Sequence, residues 1–337
     1  MGFWRPSGFE AMNTLIWFKR NALWDDRIAR LSERQPHLSI SFTTDVSDSA
    51  IATADAIMGT KVPETVLRAA TNLRFLGVSV AGVDHLPMAL LKERNVVVAS
   101  AHANGRYVAE RALAMILAFK GKIVQQHQDL SRGIWHGFAA GESPATTWHS
   151  LYEANVTILG TGSIGTALAT LLKPFNCNIT GFRRTKGSPV SPLFNTITTN
   201  LTTAVTGADV VVCTLPLTEA TRGLVDRTVL QAMAGASLVN VGRGAVIEED
   251  ALYRALEDGT LQGAAIDTWY TYPEDTSSPT FPGNRPFHNL PNVLLSPHMG
   301  GYASRPVADS LDDIIAQYEE FLRGESLSGA VDLREQY

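Results

Sequence analysis

Cysteine is nearly missing from this chain: two residues, Cys177 and Cys213, in 337. Both lie in apolar runs that read as strands, so a disulfide framework is excluded and each is expected to be a buried, reduced thiol. No sign of charge dominates. Lys and Arg number 28 against 33 Asp and Glu, a net charge of −5 at pH 7, which leaves no broad basic face for nucleic acid. No apolar run approaches the roughly 18–20 residues that cross a bilayer, so no membrane partner is expected. The opening residues Met1–Glu10 lack an apolar stretch ahead of a cleavage site, so a secretory leader is not expected and the protein is read as cytoplasmic. No metal site is expected either. Apolar residues make up 45% and charged residues 18%, the balance of a soluble globular protein long enough for two ordinary domains.

What is present is alternation. In the first hundred residues Thr14–Lys19, Leu38–Thr43, Asp55–Gly59, Phe75–Val80 and Val96–Ala99 read as strands, and Trp24–Glu33, Pro63–Ala70 and Leu86–Arg94 as helices. One long helix is expected from Gly105 to about Leu130, with Val108, Ala112, Met115, Ile116 and Phe119 on its apolar side. A second α/β series follows. Its strands are expected at Val156–Leu159, Asn178–Phe182, Asp209–Leu215, Ser237–Val241, Ala264–Asp267 and Val293–Ser296, and its helices at Ile164–Leu172, Thr228–Met233 and Glu248–Asp258. Continuous apolar runs such as Val210–Cys213 fit a parallel sheet covered on both faces. A last helix, Arg305–Arg323, crosses back to the first unit. The proline-rich segment Tyr272–His288 reads as a long loop, a type that is functional when it adjoins a site.

Strand Val156–Leu159 runs directly into Gly160-Thr-Gly-Ser-Ile-Gly165 and then a helix, the G-x-G-x-x-G arrangement of dinucleotide folds. Gly160 permits the tight turn, Gly162 lets the backbone approach a pyrophosphate, and Gly165 lets the helix lie close on the strand. The first N–H groups of that helix, at Ser163, Ile164 and Gly165, then face the phosphates. About twenty residues on, where such folds usually place an acid for the ribose hydroxyls, stand Arg183, Arg184 and Thr185. Guanidinium groups suit a 2′-phosphate, so NADP is preferred over NAD; a solvated basic loop beside an NAD site is the alternative. Two further signatures close strands: Asn240-Val-Gly-Arg-Gly244 and Ser296-Pro-His-Met-Gly300. Carboxyl ends of strands are where open parallel sheets bind ligands. There Arg243 can clamp a carboxylate and His298 can carry a proton at neutral pH. The alternatives are a phosphate or structural contact for Arg243 and a capping or packed imidazole for His298.

With these motifs the chain resembles the D-isomer-specific 2-hydroxyacid dehydrogenase family from about residue 60 to 315. Val80-Ala-Gly-Val-Asp84, Asn104-Gly-Arg-Tyr-Val-Ala-Glu110, Gly133-Ile-Trp135, Leu215-Pro-Leu-Thr218 and Gly263-Ala-Ala-Ile-Asp267 join the glycine, Arg243 and His298 motifs in the family's order. The resemblance implies two doubly wound parallel-sheet α/β domains. One is a discontinuous, flavodoxin-like substrate-binding domain from residues 1–101 and 300–337; the other is a Rossmann dinucleotide-binding domain over 102–299. It also implies a cleft between them and a homodimer built on the cofactor domains. The implied reaction is hydride transfer between NAD(P) and C2 of a small 2-oxo or 2-hydroxy acid, with Arg243 orienting the substrate and His298 as acid/base. Ala81 and Gly82 would hold the substrate carboxylate and Asn104 would line the cleft. Asp267 resembles the residue that binds the nicotinamide carboxamide, and Leu215, Pro216, Val241, Gly242 and Gly300 would complete the cofactor contacts.

One position departs from the family. A glutamate usually stands five residues after the aspartate, just before a proline, where its charge favours the protonated histidine. Here Asp267-Thr-Trp-Tyr-Thr-Tyr-Pro273 puts neutral Tyr272 in that slot. Tyr272 then either hydrogen-bonds the imidazole without charging it, or Glu274 or Asp275 substitutes from a shifted loop. Two rival functions follow: a formate dehydrogenase-like hydride transfer, which needs no charged His–carboxylate pair, and a nucleotide-sensing, corepressor-like binding protein.

Overall fold

The computed structural model describes residues 11–337 except 139, 142, 144–145, 186–190, 276 and 304. The expectation for Met1–Glu10 and the Lys186 end of the basic run therefore lie outside the described residues. The described residues up to Asn104, with those from Ala303 onward, form one compact unit, and Gly105–Tyr302 form a second.

The first unit runs β1 (Met12–Trp17), α1 (Ala22–Arg34), β2 (Leu38–Phe42), α2 (Ala50–Thr53), β3 (Ala56–Gly59), α3 (Glu64–Ala69), β4 (Phe75–Val78), α4 (Met88–Glu93) and β5 (Val97–Ser100). Its five strands are all parallel in the order β2-β1-β3-β4-β5, the doubly wound order of flavodoxin-like folds. The short helix α2 was not legible in the sequence, because four residues show no period.

The second unit opens with α5 (Gly105–Lys120) and α6 (Ile123–Leu130). One helix was expected here. Lys122 at φ +50° breaks it in two, and no residue of α6 is buried, so no packed face keeps the two in line. Then follow β6 (Asn155–Leu159), α7 (Ser163–Leu172), β7 (Asn178–Phe182), β8 (Thr196–Thr198), α8 (Leu201–Val205), β9 (Val210–Cys213), α9 (Arg227–Ala232), β10 (Ser237–Asn240), α10 (Glu249–Glu257), β11 (Gly263–Ile266) and β12 (Val293–Leu295). Sequence reading missed β8 and α8, both too short to show periodicity. The seven parallel strands take the order β12-β11-β10-β9-β6-β7-β8, a Rossmann sheet extended by one strand, with its switch point between β6 and β9.

The sheet is covered on both faces, as its apolar runs require. In β9, Val210 and Val212 enter one buried cluster with Val156, Ile158 and Val239, while Val211 and Cys213 enter the opposite one with Leu159, Leu238 and Ile266. Both cysteines are free and buried. Burial pushes the Cys213 thiol up to about 12, so this sulfur packs as a hydrophobe. The last helix, α11 (Pro306–Leu322), completes the first unit. Its Ile314, Tyr318 and Phe321 close the cluster that holds Ile16, Met58 and Phe75. The Tyr318 hydroxyl satisfies Thr14 Oγ1 at 2.6 Å inside that core. Among the described residues, no helix is long and apolar enough to cross a membrane.

Candidate active site

The chemistry-bearing residues of the second unit stand on the carboxyl edge of its sheet, where the ladder continues one step past each strand. The N–H groups of Gly160, Thr214, Val241, Asp267 and Ser296 donate to Phe182, Leu159, Cys213, Asn240 and Ile266 carbonyls at 2.9–3.0 Å. Each loop thus leaves its strand already anchored to a neighbour.

At the switch point, Gly160 turns with φ +108°, a conformation other residues rarely adopt. The turn is pinned by Thr214 Oγ1, which donates toward the carbonyls of Leu159 and Gly160 at 3.0 and 3.2 Å. A side chain at Gly165 would run into the Gly160 carbonyl, whereas one at Gly162 would meet nothing within 4 Å. Helix α7 therefore lies close on β6, with open space in front of its N-terminus. The N-cap residue is Gly162, which has no side chain to cap the helix, so Ser163, Ile164 and Gly165 begin a helix whose first N–H groups suit a pyrophosphate. At the end of β7, Arg183 is half-buried and Arg184 and Thr185 are exposed. These residues fit a nicotinamide dinucleotide.

Arg243 follows β10. Its presentation is set by the glycines on either side: a Cβ on Gly242 would lie 2.5 Å from the Leu215 carbonyl, and one on Gly244 would overlap the Trp269 backbone. The Asn240 side chain closes the turn, donating to the Arg243 carbonyl at 3.2 Å and accepting from Gly242 N at 3.1 Å. The guanidinium is half-buried, and Nη1 donates to the Gly242 carbonyl at 2.9 Å. Pro216, beyond β9, is exposed.

His298 follows β12, exposed, with φ +56°. That left-handed backbone is held from beneath by Asp267, which is 1% exposed. Asp267 Oδ1 accepts from the Ser296 hydroxyl and from Met299 N at 2.8 Å, and Oδ2 from Gly300 N at 2.8 Å. The register pairs Asn240 with Ile266 and Ile266 with Leu295. Arg243 and His298 thus each stand three residues beyond one row across the sheet, whose outer members Asn240 and Leu295 are two inter-strand spacings apart, about 10 Å.

Tyr272 and His298 are brought together: their ring centroids lie 5.4 Å apart at 51°. The Tyr272 hydroxyl accepts from Trp269 N at 3.0 Å, and Trp269 Nε1 donates to the Ser296 carbonyl at 2.8 Å. Asp275 accepts from the Ser277 side chain and backbone, which hold its carboxyl below the usual carboxylate range. The proline-rich loop returns to the same edge, where Pro282 accepts from the N–H groups of Tyr270 and Thr271. In the first unit, Ala81 and Gly82 lie half-buried beyond β4, and Asn104 beyond neighbouring β5. Among the described residues, no group of three or more His, Cys, Asp or Glu residues could hold a metal ion.

The model for the D-isomer specific 2-hydroxyacid dehydrogenase, NAD binding domain, matches residues 113–300. Over 312 residues the chain is 31% identical to glyoxylate/hydroxypyruvate reductase B of Pectobacterium carotovorum, covering 90% of this chain and 94% of that protein. The chain belongs to the D-isomer specific 2-hydroxyacid dehydrogenase family. It is accordingly an NAD(P)-dependent oxidoreductase. It is also 30% identical to glyoxylate/hydroxypyruvate reductase A of Arabidopsis thaliana over 284 residues, 84% of this chain and 83% of the relative. The crystal structure of a family member from Xanthobacter autotrophicus, in complex with NADPH and MES, shares its fold. The TM-score is 0.77 at 24% identity, over 97% of this chain and 100% of the other.

Three residues of this dehydrogenase's site escaped sequence reading. Thr214 and Ser296 are hydroxyls directly beyond strands, a position from which short polar side chains bond nearby backbone, and that signal was available. Arg111, whose Nη2 donates to Ser296 Oγ at 3.0 Å across 185 residues, had no local signal. The tight packing at Gly244 makes a prediction. Gly244→Ala should lower unfolding stability by about 1–3 kcal/mol, the usual cost of overpacking, read as a lower urea midpoint at unchanged slope. An unchanged midpoint would show that the β11 loop can move aside.

Proposed function

We propose that this enzyme catalyses reversible hydride transfer between a nicotinamide coenzyme and C2 of a small 2-oxo/2-hydroxy acid of D configuration. The observation that carries the reading is the placement of Arg243 and His298 three residues past one row of strand ends, on either side of the buried Asp267. When bound, the coenzyme supplies or accepts the hydride at C2. Arg243 pins the substrate's carboxylate and carbonyl through a planar fork of donors. His298 donates a proton to the forming alkoxide in reduction and takes it back in oxidation. In the first unit, the backbone N–H groups around Ala81 and Gly82, with Asn104, are the proposed carboxylate-binding groups. A carboxylate offers about four acceptor sites. Asp267 uses three on the His298 turn, which leaves room on Oδ2 for a carboxamide N–H. Leu215, Pro216, Val241, Gly242 and Gly300 complete the coenzyme contacts.

Arg183 and Arg184, where an acid would otherwise accept the ribose hydroxyls, support a preference for NADP. Glyoxylate and hydroxypyruvate, in the names of the Pectobacterium and Arabidopsis relatives, are the substrates of first choice. A homodimer is supported by large apolar side chains left exposed along residues 123–152: Ile134 is 48% exposed, Trp135 61% and Trp148 58%. Large apolar side chains in water favour coverage by another protein where they form a patch. The cytosol is the compartment in which the unpaired thiols Cys177 and Cys213 stay reduced.

The deciding experiment is a steady-state assay with glyoxylate, hydroxypyruvate, pyruvate and formate, each with both coenzymes. Turnover of the 2-oxo acids, faster with NADPH, is expected. Turnover of formate alone would assign formate oxidation, and tight coenzyme binding without turnover would assign a sensing role. Arg243→Ala should lower kcat/KM by about 10²–10³, or roughly 3–4 kcal/mol of transition-state stabilisation; a near-normal value removes Arg243 from the mechanism. Tyr272→Glu places a negative charge beside His298, which favours the imidazolium. The high-pH fall of reductive turnover should then move to higher pH. An unmoved profile would mean that this position does not influence the imidazole.

A further inference from the structure

We propose that Arg111 and Ser296 are positioning residues for His298, acting through the Asp267 carboxylate. The inference rests on His298 being the acid/base, and the test below separates the two. Arg111, on α5, donates from Nη2 to Ser296 Oγ at 3.0 Å, and Ser296 Oγ donates to Asp267 Oδ1. A hydroxyl carries a single proton. Because the guanidinium can only donate, the Ser296 proton is directed onto Asp267, and the chain runs one way from cation to carboxylate. The carboxylate then grips Met299 N and Gly300 N, the two N–H groups that follow His298. On the other side of the histidine, the Ser296 carbonyl accepts from His298 N at 3.1 Å and from Trp269 Nε1 at 2.8 Å.

His298 is therefore clamped before and after its own Cα. It needs the clamp, since its φ of +56° is disfavoured for any residue with a Cβ. Asp267 is almost fully buried, and a buried carboxylate that loses a hydrogen-bond donor is destabilised. Without Arg111 the Ser296 hydroxyl can turn away from Asp267. The turn then relaxes toward the right-handed backbone, and the imidazole leaves the direction that chemistry requires. Neither residue touches the reacting atoms, so affinity for the 2-oxo acid is unaffected and the proton-transfer step suffers.

The test is steady-state reduction of a 2-oxo acid by Arg111→Met, Arg111→Lys, Ser296→Ala and Ser296→Thr across the pH profile, with His298→Ala alongside. Loss of one charge-assisted hydrogen bond is expected to lower kcat roughly tenfold or more in Arg111→Met and Ser296→Ala. KM for the 2-oxo acid should stay within about twofold, and Ser296→Thr and Arg111→Lys should recover most of the loss. The ring resonances of His298, followed by NMR, should shift in Ser296→Ala and return in Ser296→Thr. A kcat near wild type in Arg111→Met and Ser296→Ala, with activity lost in His298→Ala, overturns the positioning role and leaves the acid/base reading standing. Full turnover by His298→Ala overturns the acid/base reading and this inference with it. A rise in KM at unchanged kcat would place the two residues in substrate binding and overturn the inference as well.

Discussion

One buried carboxylate organises the strand ends around His298. Asp267 leaves β11 with its own N–H bonded to the Asn240 carbonyl, and spends its side chain on the turn that follows β12. It thereby joins the loops that follow three adjacent strands, β10, β11 and β12. The His298 backbone is costly in isolation and persists only because its surroundings over-determine it. Trp269 reinforces the arrangement by bonding the Ser296 carbonyl from inside the same layer.

The coenzyme end depends on close approach instead of charge. A parallel sheet brings loop after loop to one edge, and there is little room between them. Gly165 lets α7 settle on β6, and Gly242 and Gly244 let the β10 loop pass between those of β9 and β11. The space saved beneath the backbone reappears above Gly162, where a side chain would meet nothing.

Tyr272 stands beside His298 at the same strand edge. Its ring lies beside the imidazole, while its hydroxyl accepts the Trp269 N–H, which ties the residue into the β11 loop. Asp275 is engaged by Ser277, and the carboxylate built into the His298 turn is Asp267. The imidazole thus has an aromatic ring beside it and an acid beneath its loop.

The glycine turn, the alternation of elements, the parallel sheets, and the positions of Arg243 and His298 at strand ends were all readable in the chain. Each is a local pattern: a period of two or 3.6, or a turn whose residues are neighbours. Less legible were the shortest elements, β8, α2 and α8, which are too brief to show a period. The break at Lys122 also went unread, since it depends on α6 having no buried face to extend. What tertiary structure alone decided is which polar groups meet. Asp267 and Ser296 stand 29 residues apart, Arg111 and Ser296 185 apart, and nothing in either neighbourhood names the other. Periodicity states which face of a strand is buried. Register and crossover determine what lies opposite, and those are settled by packing the whole sheet at once.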